Sequence, residues 1–196
     1  MKVIGITGGV GCGKSTIVTA MEKKYSCAVL MADDAAHKVY AKGCDAYHKL
    51  VELLGQDVLD EDKNIDRKKM AALILDDEEL LGKVNSIVHP AVKDYILSRI
   101  KEEKESKEHE FFLLEAALLI ECGYNDIVDE MWYVYADEST RRARLKTQRG
   151  YTDERIDSIL DFQLSDEGFR NGSDFVIDNS NTVDESMLQI AKRIGK

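Results

Sequence analysis

Proline is almost missing from this chain of 196 residues; Pro90 is the only one. Long helices are therefore permitted over most of the length, and a proline-rich linker or recognition segment is excluded. No apolar run approaches the roughly 20 residues a helix needs to cross a bilayer, so no membrane span is expected. The cysteines (Cys12, Cys27, Cys44 and Cys122) lie far apart and form no Cys-x-x-Cys pair. Isolated thiols argue against a zinc site or a disulfide frame and for a reducing compartment. Basic residues are outnumbered, 27 against 37 acidic, for a formal net charge of −10. Nucleic acid usually demands a basic face and is not an expected partner. The chain opens directly on strand-like residues with no charged-then-apolar leader, which predicts a cytoplasmic protein. Internal repeats and low-complexity segments are absent too. The mixed charges from Lys101 to Glu110 read as a solvated helix end.

Glycine, by contrast, is concentrated in one place. Residues 8 to 15 read Gly-Gly-Val-Gly-Cys-Gly-Lys-Ser, which fits the phosphate-cradling pattern G-x-x-x-x-G-K-[ST]. In that pattern the glycines let backbone N–H groups converge on phosphates, Lys14 reaches the outer phosphates, and the Ser15 hydroxyl can bind Mg²⁺. The flanks agree with it. Val3 to Thr7 is a short apolar run of strand character, and Ile17, Val18, Ala20, Met21 and Tyr25 recur at helical spacing. A strand, a glycine loop and a helix N-terminus together make an anion site. A nucleoside triphosphate is the expected ligand, held by Gly9, Gly11, Cys12, Gly13, Lys14, Ser15 and Thr16. Cys12 lies inside that loop, where a helix N-terminus would favour its thiolate, so mild oxidant sensitivity is expected there.

Continuous apolar runs at 3–7, 28–32, 110–115, 131–136 and 174–178 predict strands buried on both faces, with helical periodicity between them. The fold expected is α/β, a five-stranded parallel sheet flanked by helices. The stretch from 32 to 110 is far longer than a crossover needs. Helical spacing fills it over 34–54, around Met70, Leu73 and Ile74 behind a capping Asp66, and from Leu80 to Ile100, where Pro90 should kink or restart the helix. A helical subdomain at 34–107 is therefore expected to be inserted into a core of 1–33 and 108–196. It lies at the strand ends where such folds bind ligands, placed to hold a second substrate.

Several charged residues are candidates for chemistry. Asp33 follows the second strand directly; it can face an acceptor hydroxyl as proton acceptor, or cap the next helix. Glu115 ends the third strand, a place suited to holding Mg²⁺, and Glu121 is a second acidic candidate; either can instead start a helix. Arg141, Arg142, Arg144, Lys146 and Arg149 crowd one segment, with Arg142, Lys146 and Arg149 on one helical face. Beside the Gly150 hinge this suits a lid over 146–160 that neutralises phosphoryl charge, or else an exposed face paired with Asp137, Glu138 and Asp153. His89 has no partner at metal-ligand spacing and reads as a packed or substrate-contacting histidine.

Taken together, Ile4 to Thr16, Ala32-Asp33, Asp66-Arg67, Asn85 to Pro90, Leu118 to Glu121, Gln163 and Asp174 to Asn179 resemble the dephospho-coenzyme A kinase family over nearly the whole chain. The resemblance implies a fold like that of the P-loop nucleoside monophosphate kinases, with the insertion binding the acceptor. It also implies transfer of the ATP γ-phosphoryl group to the ribose 3′-hydroxyl of dephospho-coenzyme A. Asp33 would be the catalytic carboxylate, with Arg67, His89, Leu118 and Glu121 lining the acceptor pocket and Asn179 near the adenine end of the ATP site. Ser15 and Glu115 would hold Mg²⁺. The family's lid arginine falls at the position of Gln148, so Arg149 is expected to act there, with Arg142 and Arg144 as alternatives. Three other departures are Cys12 where the family more often has serine, Met31 where it has an acid, and Glu115-Ala116-Ala117 where it has Asp-x-Pro. Nucleoside monophosphate kinases and small-metabolite kinases share the sheet, insertion and lid. A GTP-dependent switch would need an Asn-Lys-x-Asp sequence, which is absent.

Overall fold

The computed structural model describes residues 1–196. Its strands are β1 (Lys2–Thr7), β2 (Cys27–Met31), β3 (Phe111–Glu115), β4 (Glu130–Tyr135) and β5 (Phe175–Asp178). They form one parallel sheet in the order β2-β3-β1-β4-β5. In register, Ile4 faces Leu113 on one side and Glu130 on the other. Both faces are covered, which explains why the strand sequences are continuously apolar rather than alternating. The observed limits fall within a residue of those expected, the ordinary uncertainty of element ends.

The chain divides into two compact units, Met1–Leu30 with Glu103–Lys196, and Met31–Glu102. The first holds most of the sheet together with α1 (Lys14–Lys24), α6 (Glu138–Arg149), α7 (Asp153–Asp161), α8 (Asp166–Asn171) and α9 (Val183–Ile194). Ile4, Ile6, Trp132, Val134 and Ile177 from alternate positions of the strands pack with Ile17, Val18 and Met21 of α1 and Met187 and Ile190 of α9. On the opposite face Tyr133 stacks on Phe169 of α8, ring centroids 4.7 Å apart. This core fixes the C-terminal ends of β1 and β3, where the glycine loop and Glu115 begin their work.

The second unit contains α2 (Ala32–Val39), α3 (Asp45–Leu54), α4 (Arg67–Ile74) and most of α5 (Glu78–Ser106). Ala35, Val39, Tyr47, Leu50, Val58, Val84 and Ile96 are buried in it. The expected run over 34–54 is broken into α2 and α3 near Gly43, whose φ of +96° no helix accommodates. Asp66 caps α4, accepting from the Lys68 and Lys69 amides at 2.8 and 3.3 Å. Pro90 neither restarts nor ends its helix: α5 runs through it for 29 residues. Proline removes one intrahelical bond, and the buried stripe of Val84, Val92, Ile96 and Ile100 spans both sides of the gap.

At the start of β4, Glu130 accepts hydrogen bonds from Lys2 Nζ (2.7 Å), Trp132 Nε1 (2.6 Å) and Arg193 Nη2 (3.0 Å). Burial alone would raise this carboxyl; the three donors outweigh it and hold it below the usual carboxylate range. A lowered folded-state value means the stabilisation is present above the unfolded pKa and lost as pH falls through the folded one. Glu130→Gln is expected to cost about 1–3 kcal/mol at neutral pH. The gap to wild type, measured by denaturant melts, closes below about pH 4.

Candidate functional site

The loop between β1 and α1 carries the geometry that matters. Gly13 caps α1 with φ +92° and offers no side chain, and the first turn of the helix holds no acidic residue. The amides of that turn are thus open to an anion. The loop's carbonyls are tied down from outside. Cys12 O accepts from Asn179 Nδ2 at 2.8 Å and Arg144 Nη1 at 3.3 Å, and Val10 O accepts from Arg141 Nε at 2.9 Å. Lys14 Nζ donates to Gly8 O at 2.7 Å. Because a trans peptide is planar, each carbonyl pulled one way turns the next N–H the other way. The amides of Gly11 and Gly13 therefore point away from Arg141, Arg144 and Asn179, as a phosphate cradle requires. Glycine at 13 is also needed sterically, since a Cβ there would collide with the Asn179 amide.

Asn179 proves to be a brace. It is 2% exposed, its Oδ1 accepts from Ser186 Oγ at 3.0 Å, and its backbone carbonyl accepts from Arg144 Nη2 at 2.8 Å. Its side chain is thereby engaged at both ends, Nδ2 with the loop backbone and Oδ1 with Ser186 of α9. Glu115 is buried at the end of β3, opposite Ile6, and its charge reaches Cys12. Ser15 and Thr16 are exposed in the first turn of α1.

The basic segment forms α6, and its two faces do different things. Arg142 pairs with Glu138 at 2.8 Å and with Asp153 and Asp157, and Lys146 pairs with Asp153 at 2.7 Å. The face expected to meet phosphate is therefore a solvated ion-pair surface shared with α7, and Arg149 is exposed at its end. Arg141 and Arg144 touch the loop instead. The signal was Leu145, the one large apolar residue of α6: it is buried and marks the inward face, with Arg141 one turn before it and Arg144 adjacent. Gln163, which carried no role in the sequence reading, accepts from both Arg141 Nη2 (2.6 Å) and the Val10 amide (3.3 Å). Ser186 was not singled out at all; a serine inside an amphipathic helix gives no local sign that it is buried against another chain segment.

In the second unit, Asp33 sits exposed in the first turn of α2, whose cap is Met31 with no side-chain hydrogen bond. Asp33 therefore does not cap. Asp33 and Arg67 both act on the charge of Tyr40: burial pushes the Tyr40 hydroxyl up, the Arg67 charge pulls it down, and the Asp33 charge raises it further. His89 is exposed on α5. In the first unit Leu118 and Glu121 are exposed in the turns after β3, anchored by fully buried Leu119.

Cys12 departs from expectation. It is 1% exposed within the sheet–α1 core, and burial drives its thiol upward against the weaker pull of Lys14 and Arg141. Position at a helix N-terminus loses to desolvation here. In a thiol count with a disulfide reagent, partly exposed Cys44 and Cys122 should react first and Cys12 only on unfolding. Rapid labelling of Cys12 in the native protein would contradict this.

Comparison with known proteins bears on the same residues. A family model described as dephospho-CoA kinase matches residues 2–185. The dephospho-CoA kinase of Aquifex aeolicus is 38% identical over 192 residues, 98% of this chain and 95% of that protein. Among solved structures, TT1252 from Thermus thermophilus superposes with a TM-score of 0.78 at 27% identity, covering 98% of this chain and 95% of its own. The dephospho-CoA kinase from Campylobacter jejuni gives 0.73 at 23% identity over 100% and 96% of the two chains, a likeness of fold. Matches of this extent include the glycine loop, the residues that brace it and the insertion, and the chain belongs to the dephospho-CoA kinase family.

Proposed function

We propose that this protein transfers the γ-phosphoryl group of ATP to the ribose 3′-hydroxyl of dephospho-coenzyme A, giving coenzyme A and ADP in the cytoplasm. The observation that supports the reading is the tethered loop, whose Val10 and Cys12 carbonyls are held outward by Arg141 and Asn179, which turns the amides that follow them the other way. Gly9, Gly11, Cys12, Gly13, Ser15 and Thr16 would contribute backbone donors. Lys14, held by loop carbonyls, would exchange them for phosphate oxygens.

The Ser15 hydroxyl and the Glu115 carboxylate are hard oxygen donors of the kind Mg²⁺ takes. They would hold that ion, which when bound neutralises charge on the terminal phosphates. Arg141 and Arg144 are proposed to hold the loop's outward carbonyls rather than to face the nucleotide, because their donors are spent there, and Arg149 stays the proposed lid cation. The segment 146–160 is proposed as the lid. Lys146 pairs with Asp153 inside it, while Arg142, before it on α6, pairs with Asp153 and Asp157 and would have to release them for the lid to move.

On the acceptor side, the Asp33 carboxylate would orient the hydroxyl and take its proton as the oxygen attacks the γ-phosphorus and the bond to the ADP oxygen breaks. Arg67 would counter acceptor charge beside it, with His89, Leu118 and Glu121 lining the rest of the pocket. Asp33 is exposed and makes no cap, so its replacement should leave the fold intact. Asp33→Asn is expected to bind ATP normally and lose turnover by about 10²–10⁴-fold, the range for a general base. A coupled assay with dephospho-coenzyme A, AMP, CMP and shikimate as acceptors checks the substrate. Preference for one of the last three, or full turnover by the Asn variant, would overturn the assignment.

A further inference from the structure

Ser186 sits near the start of α9 and is fully buried. A serine inside a helix commonly returns its hydroxyl proton to the carbonyl four residues back. Here three acceptors compete for that one proton: Asn179 Oδ1 and Asp178 O, each at 3.0 Å, and Thr182 O at 3.3 Å. The two carbonyls each have another donor. Asp178 O accepts from Gln189 Nε2 at 2.9 Å, and Thr182 O from the Ser186 backbone N–H at 3.3 Å. Asn179 Oδ1 accepts from no other group.

Bulk water is no substitute at that oxygen, because Asn179 and Ser186 are both buried. A buried acceptor without a donor is costly, so the proton is drawn to Oδ1 rather than to either carbonyl. The two ends of an asparagine amide have nearly the same shape, and only their hydrogen bonds fix which way round it sits. With Oδ1 held by α9, Nδ2 faces the loop and donates to Cys12 O at 2.8 Å.

We propose that Ser186 is a positioning residue for nucleotide binding: as the one donor to Asn179 Oδ1, it keeps the amide aimed at Cys12 O and so keeps the Gly13 N–H turned inward. Without the hydroxyl, Oδ1 finds a donor only if the amide leaves its present pose. Cys12 O is then left with the longer Arg144 bond alone, at 3.3 Å. A hydroxyl that never touches the loop thus sets the loop's affinity for phosphates. The inference rests on the reading that the loop binds a triphosphate.

The test is calorimetry with inorganic tripolyphosphate, beside thermal melts, on wild type, Ser186→Ala, Asn179→Ala and the double variant, at a temperature where each is folded. Ser186→Ala should bind tripolyphosphate about tenfold more weakly. The double variant should bind no more weakly than Asn179→Ala alone, since the hydroxyl acts only through the amide. In steady-state assays Ser186→Ala should raise the KM for ATP and leave the KM for dephospho-coenzyme A unchanged. If the hydroxyl only stabilises the start of α9, Ser186→Ala melts lower yet binds like wild type, or its loss multiplies with that of Asn179→Ala; either result overturns the proposal. Should the alanine variant not fold, Ser186→Cys, similar in shape but a weaker donor, decides by the same comparison with a smaller expected loss. A wild type that binds tripolyphosphate but does not phosphorylate dephospho-coenzyme A refutes the acceptor reading, and the affinities still decide the role of Ser186. A wild type that binds no tripolyphosphate overturns the proposal together with the reading of the loop.

Discussion

Everything at the nucleotide site depends on where the loop carbonyls point. Backbone amides can cradle a triphosphate only if each peptide plane is rotated so that its N–H faces inward, and an unbraced glycine loop pays that ordering entropy at the moment of binding. Here the rotation is imposed by Asn179 and Arg144 on Cys12, and by Arg141 on Val10. The braces themselves are anchored. Asn179 leads out of β5 and is locked by Ser186 of α9, and α6 is seated by Leu145 against the loop, where a Cβ on Gly11 would come within 3.1 Å of it. The sheet core is thus what makes the loop rigid, through side chains far from it in sequence.

That distance explains what the sequence could and could not reveal. The strands were legible because each is a continuous apolar run, and the loop because its glycines and lysine have fixed spacing. The insertion was legible from the length between 32 and 110. The brace on Cys12 was not, because it joins Asn179 to a position 167 residues away. Asn179 was noticed, but as part of a family-like string, and position in a string does not say which way an amide points. Cys12 misled for a related reason: local sequence places it at a helix N-terminus, while the depth of the core around it is a tertiary fact.

The basic segment shows the same limit on a smaller scale. Charge density identified α6, and helical spacing offered two faces. The richer face, with Arg142, Lys146 and Arg149, faces solvent and the acids of α7. The face with fewer cations also carries the buried leucine, and it is that one which meets the loop. For a helix on a folded core, the apolar residue decides orientation, because its burial outweighs the small gain of exposed ion pairs. Read that way, Arg141 and Arg144 were available from the sequence after all.

On this geometry Asn179 keeps the loop ready for phosphates rather than reading the base. Binding of inorganic tripolyphosphate, which has no base, isolates that claim in Asn179→Ala when measured by calorimetry on the folded variant. Removing the amide leaves the Cys12 carbonyl with only the longer Arg144 bond, while Ser186 keeps the Asp178 and Thr182 carbonyls, a loss of about 1–3 kcal/mol shared between fold and loop. The prediction is tripolyphosphate affinity weakened by about tenfold. Unchanged affinity, with only adenosine-bearing ligands bound more weakly, would contradict it.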